Sequence, residues 1–105
     1  MTQNTQKAKV PYNNIAEHDK LCDFLKELYE QKNNAYGDSF HRTYQELGII
    51  AAITRISDKY HRIVTLGCDM DKGTIKVGDE SIRDTLIDLA NYALMTVMEI
   101  DRTEK

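Results

Sequence analysis

The residues best suited to chemistry fall into two stripes at helical spacing. Glu80, Asp84 and Asp88 recur at i, i+4 and i+8, and Asn91 continues the same side. On a helix such positions stand one above another. Stacked carboxylates repel, and a divalent cation between them reverses the sign of that interaction. Oxygen-only donors, with neither His nor Cys nearby, suit Mg²⁺ or Mn²⁺ better than Zn²⁺. Asp88 is a further ligand or the base that orients an attacking water, which makes it the candidate catalytic residue. The competing reading is a solvated acidic face, with Met95 and Met98 forming a seam between subunits.

Arg55, Lys59 and Arg62 recur at i, i+4 and i+7, and only Asp58 interrupts them. Arg presents a planar fork to phosphate oxygens and Lys a point charge. As a solvated face, the same stripe would pair Asp58 with Arg55 or Arg62. Taken together, a metal-type acidic helix and a phosphate-type basic helix are the two halves of a nucleotide polyphosphate site.

A third group begins with Glu27 and Glu30, an E-x-x-E pair able to share a cation or simply to be surface acids. The segment KNNAYGDSF follows, gathering Lys32, Asn33, Asn34, Tyr36, Asp38 and Ser39 around Gly37. Amides and hydroxyls beside an aromatic ring can read a base by stacking and edge hydrogen bonds. They can equally end one helix and cap the next. An EF-hand over Asp69, Asp71 and Glu80 is rejected, because Thr74 stands where the loop needs Gly. His18, His41 and His61 are scattered and form no nucleophile–histidine–acid set; surface or packing roles suit them.

These residues need helices to position them. Residues 1–13 read as a polar arm, and 14–105 as a single domain. Asn14 and Glu17 fit a capping box opening a helix over 14–32, with Leu21, Leu25 and Leu28 as its apolar repeat. Asp38 or Ser39 caps a short helix carrying Phe40, Tyr44 and Leu47, which Gly48 either ends or passes to the next. A helix over 49–66 gathers Ile49, Ile53, Ile56, Tyr60, Ile63 and Val64 on one face. Residues 67–78, with three glycines, read as a loop. The helix over 80–101 has a core stripe of Ile82, Leu86, Leu89, Ala90, Ala93, Val97 and Ile100. The expected fold is an all-α bundle of three long helices and one short one. A second partly apolar face on the last helix, in a chain this short, points to completion as a homodimer or homotetramer.

Composition sets the outer bounds. With 105 residues, 41% hydrophobic and 30% charged, the chain is an ordinary small globular domain. A net charge of −3 excludes a coat for DNA or RNA polymers, which needs a basic surplus. No apolar run reaches the ~20 residues of a membrane span, and the first residues lack a signal peptide's apolar stretch. Cys22 and Cys68 suit free thiols in a reducing compartment. The expected location is the cytoplasm.

The segments KNNAYGDSF, GIIAAITRISDKYHRI and DESIRDTLIDLANYALMTVMEI resemble the small nucleotide-modification-associated domain of bacteria and phages. That domain is similar in turn to the MazG-like all-α nucleotide pyrophosphohydrolases, and the resemblance spans about residues 20 to 101. It implies an Mg²⁺ site made by E-x-x-E on one helix and E-x-x-D on a later one. Glu27 and Glu30 match the first motif and Asp84 ends the second. Ser81 stands where the second motif's Glu should be, and Glu80 is the nearest acid. The implied activity is Mg²⁺-dependent cleavage of a nucleoside triphosphate to monophosphate and pyrophosphate. Metal would sit on Glu27, Glu30, Glu80 and Asp84, and phosphate on Arg55, Lys59 and Arg62. The nucleotide would meet Lys32, Asn33, Tyr36, Ser39 and Asn91. The alternative is a non-catalytic nucleotide binder of the same fold, a regulator or a phage-type sponge for a nucleotide signal. A third reading, a purely structural oligomerisation module, expects no nucleotide binding.

Overall fold

A computed structural model describes residues 11–36, 38–74 and 80–103, except the side chains of Tyr36 and Glu80. Most of the expected arm therefore lies outside the described residues. The described residues form four helices and no strand: α1 (Asn14–Tyr36), α2 (Ser39–Leu47), α3 (Ile49–Lys72) and α4 (Glu80–Thr103). The all-α expectation holds. None of these helices is long and apolar enough to cross a membrane.

The helix boundaries differ from expectation in ways that local chemistry explains. Asn13, rather than Asn14, caps α1: its Oδ1 accepts the Ala16 N–H at 3.0 Å. Asp38 stands at the N-cap of α2 without a side-chain capping bond. Gly48, at φ 75°, does separate α2 from α3. The expected loop over 67–78 is corrected over 67–72 by a continuation of α3 through Gly67 to Lys72, while 75–78 lie outside the described residues. Gly67 costs a helix interior only about 1 kcal/mol, and half-buried Leu66 and Met70 on either side of it offset that by packing. The helix ends instead at Gly73, where φ is 81°. There Thr74 N–H reaches Asp69 O at 2.9 Å and Gly73 N–H reaches Met70 O at 3.1 Å, the paired bonds of a Schellman cap. Cys68 is accordingly helical, not in a loop, and both cysteines are free and exposed.

α3 and α4 make the most extensive contact, with α2 resting on both and α1 on α4. The pair is antiparallel: as α3 advances from Lys59 to Arg62, their partners on α4 retreat from Asp88 to Thr85. The interior of this pair corrects the expected core. Among the described residues the only buried hydrophobics are Ala51 and Ala52, and no large side chain is fully buried. α4 instead turns inward its polar residues Thr85, Asn91, Thr96 and Glu99. Of the stripe expected as core, Leu86 is 48% and Val97 52% exposed, with Ile100 exposed as well. Ile49, Ile53, Tyr60 and Val64 of α3 are likewise exposed. Ile56 and Ile63 of α3, with Ile82, Leu89 and Ala90 of α4, are only half-buried.

Candidate functional site: a lysine-bridged aromatic pocket

The C-terminal half of α1, the start of α2 and the middle of α4 enclose a pocket of about 290 Å³. From α1 come Tyr29, Lys32 and Asn33, which helical spacing puts on one face. The entry of α2 supplies Asp38, Ser39 and Phe40. From α4, Asp88, Asn91, Tyr92 and Met95 recur at i, i+3, i+4 and i+7 and form the third wall.

The electrostatic centre is Asp88. Lys32 Nζ donates to its Oδ1 at 3.0 Å, and Lys59 Nζ, arriving from α3, donates to Oδ2 at 3.1 Å. Burial on its own would raise the Asp88 carboxyl, but hydrogen bonds from Lys32 and Lys59, with their positive charges, outweigh it and hold it below the usual aspartate range. One turn back along α4, Arg62 Nε donates to Thr85 Oγ1 at 3.2 Å, and that hydroxyl donates to Ser81 O at 2.6 Å. Asn91, which is buried, donates an amide N–H to Leu25 O of α1 at 3.3 Å and so fixes α1 against α4. The apolar wall is aromatic. The Phe40 and Tyr92 ring centroids are 5.9 Å apart and tilted, and Tyr44 continues the cluster at 6.4 Å from Phe40.

Residues 32–100 match the family described as nucleotide modification associated domain 1. The chain belongs to that family. Comparison with curated proteins and with solved structures gives no match. In this nucleotide modification associated domain the matched segment opens at Lys32 and ends in the last turns of α4. It contains every lining residue except Tyr29, together with Lys59. Glu27 and Glu30 lie before it, so the resemblance expected from about residue 20 is met over a shorter stretch.

Of the residues singled out in the sequence, Lys32, Asn33, Ser39, Asp88 and Asn91 line one pocket, and Lys59 reaches it through Asp88. One member of each stripe meets across the α3–α4 seam, Lys59 of the basic one and Asp88 of the acidic one. Arg62 lies on the same seam but is held by Thr85, and Arg55 is exposed. Glu27, Glu30 and Asp84 are exposed and take no part in the lining. The side chains of Tyr36 and Glu80 lie outside the described residues. Among the described residues no three His, Cys, Asp or Glu side chains converge on a point that could hold a metal.

Sequence reasoning missed Tyr29, Phe40 and Tyr92 as pocket walls. The signal was present: Tyr29 stands three and four residues before Lys32 and Asn33, and Tyr92 four after Asp88. It also missed a second polar knot. Glu99, 5% exposed, accepts from His41 Nδ1 of α2 at 2.8 Å and from Arg102 Nη1 at 2.8 Å. That knot holds α2, and with it the Ser39–Phe40 edge of the pocket, onto α4.

Proposed function

We propose that the pocket binds a mononucleotide, with its phosphate at Lys32 and Lys59 and its base among Tyr29, Phe40 and Tyr92. One observation supports this above the others: lysines from two different helices meet on a single carboxylate at the edge of an aromatic pocket. Each ammonium has three donors, and Asp88 engages one of each pair's set, leaving others for phosphate oxygens. Asn33 and Ser39 offer amide and hydroxyl groups to the base edge or the sugar. At about 290 Å³ the pocket is at the small end for ligand sites, with room for one nucleotide unit rather than a polymer. The family's association with nucleotide modification agrees with this chemistry.

Binding has more support here than hydrolysis, the activity the resemblance implied. Asp88 is occupied by two ammonium groups, which is a poor start for a metal ligand or a base. Glu27, Glu30 and Asp84 are exposed, and the Glu80 side chain lies outside the described residues. Titration calorimetry with a panel of ribo- and deoxynucleotides, with and without Mg²⁺, tests the reading, followed by denaturation and recovery of the ligand. Saturable binding with intact recovery is the expected result. Lys59→Ala should weaken binding by about 1.5–3 kcal/mol, as for a lost charge-assisted hydrogen bond. Recovery of monophosphate and pyrophosphate would replace binding by hydrolysis, and absence of binding across the panel would remove both.

A further inference from the structure

We propose that the nucleotide held by the lysine-bridged pocket carries an apolar group on its base, which lies in the groove that continues the pocket between α1 and α4. The inference rests on the nucleotide reading above and adds the chemical class of the base. The groove has a volume of about 160 Å³ and shares Tyr29, Asn91 and Met95 with the pocket. Beyond these three, α1 contributes Cys22, Leu25 and Lys26, and α4 contributes Leu94 and Met98. On each helix the lining recurs at i, i+3, i+4 and i+7, so each turns one continuous face to the groove.

Polarity falls along this path. Lys32 bonds to Asp88 and Leu25 O accepts from Asn91, so a step back along α1 is a step forward along α4. Charge lies at one end, the ring of Tyr29 follows one turn away, and then come Leu25, Leu94 and Met98. Cys22 closes the path, ten residues from Lys32 and about 15 Å along α1. At the junction the Asn91 amide is committed to Leu25 O at 3.3 Å, and a ligand entering the groove passes the Tyr29 ring and the Met95 thioether. This order selects the occupant. With phosphate on the lysines and the base among the rings, the edge of the base remote from the phosphate faces Met95. An unsubstituted base ends there and leaves Leu94 and Met98 in water, 53% and 37% exposed. A hydrocarbon group on that edge covers them, and each methylene it buries tightens binding about fourfold. Lys26 is the only charged residue of the lining, and a lysine lays its apolar stem along such a wall with its ammonium in water. Methionine is unbranched and adapts to groups of different outline, so the groove selects for apolarity more than for shape.

Titration calorimetry on two pairs of probes tests the inference. One pair is adenosine monophosphate and its hexyl derivative at the exocyclic amine. The other is deoxyuridine monophosphate and its hexyl derivative at the carbon that bears the methyl group in thymidine. In at least one pair the hexyl member should bind about tenfold tighter or more. Plain members that bind while neither hexyl member gains leave the groove to another occupant: they overturn this inference and leave the nucleotide reading standing. No binding by any probe removes both. Met98→Gln keeps the length of the side chain, makes the groove polar and should cancel the gain. Lys59→Ala should weaken both members of a pair by the same factor; a hexyl member indifferent to that change is bound by its hydrocarbon alone, which overturns the assignment. A further readout is the Cys22 thiol, exposed with its Sγ 3.6 Å from His18 Nδ1, and the one cysteine left in a Cys68→Ser chain. A saturating hexyl nucleotide should slow its alkylation by iodoacetamide, and a saturating plain nucleotide should not. Equal alkylation rates under the two would place the substituent outside the groove and overturn the proposal.

Discussion

Across α4, the side that meets the other helices carries Thr85, Asp88, Asn91, Thr96 and Glu99, while the side turned away carries Leu86, Ala93, Val97 and Ile100. The polar side is fully provided for. Thr85, Thr96 and Thr103 donate to carbonyls of their own helix at 2.6, 2.7 and 2.8 Å, and no buried side-chain N or O among the described residues lacks a partner. Its cohesion is directional, made of ion pairs and hydrogen bonds between named atoms. The apolar side has area but no partner within the copy. One helix thus divides its surface: the inner side orients charged groups at a pocket, and the outer side leaves its apolar residues exposed.

The contrast can be broken most severely at Glu99. Glu99→Ala should cost about 3 kcal/mol in urea unfolding at fixed chain concentration, because it leaves His41 and Arg102 without their buried carboxylate. A loss under about 0.5 kcal/mol, typical of a surface change, would mean that the polar side is merely a solvated face.

Asp88→Asn should cost less, about 1 kcal/mol at neutral pH, since Lys32 and Lys59 are partly exposed and screened. Its pH dependence is more telling. The folded carboxyl sits below its ordinary value of 3.8, so its contribution is complete above that value and fades as pH falls through the lowered one. Wild type and Asp88→Asn should therefore differ most above pH 3.8 and converge as pH falls through the lowered value. In the same variant a phosphate ligand should bind more tightly, because a competing negative charge has gone; weaker binding would point back to Asp88 as a direct ligand contact.

Smaller effects sharpen the picture. Thr85→Val removes the acceptor for Arg62 and should cost about 0.5–1 kcal/mol in the same urea assay. Gly67→Ala should stabilise by about 0.5–1 kcal/mol, since the position is mid-helix and a Cβ there meets nothing within 4 Å. Destabilisation by that alanine would indicate that another surface closes over α3 at this point.

The existence and order of the helices were legible because apolar residues at helical spacing mark them whatever they pack against. Lengths were less so: Gly67 reads as a stop, but one unfavourable residue does not end a helix whose neighbours Leu66 and Met70 are packed. The stripe read as the core of α4 is only partly met, for a physical reason: Ile82, Leu89 and Ala90 are half-buried, whereas Leu86, Ala93, Val97 and Ile100 are exposed. Periodicity identifies an apolar side but takes no account of what lies against it. Ile82 through Ile100 was therefore assigned to the interior of the copy, and Met95 to a seam, when Met95 lines the pocket. The facing of Lys59 and Asp88 was legible from two opposed stripes. The aromatic walls were not, since Tyr29, Phe40 and Tyr92 come from three helices, and no spacing within one helix brings them together.

The way α1 is fastened has a consequence for motion. Its ties to α4 include the Asn91 bond to Leu25, the stacking of Arg83 over Phe24 at 5.6 Å and the Lys32–Asp88 pair, with Leu21 and Phe24 still exposed. Such a helix opens at a lower free energy than the α3–α4 pair, and its amide protons should exchange with deuterium well before theirs. Lys32 belongs both to this fastening and to the pocket. A ligand that draws the ammonium away from Asp88 loosens one tie while adding contacts of its own to Tyr29 and Asn33. Deuterium uptake along residues 14–36 would then report occupancy from a helix whose greater part touches no ligand.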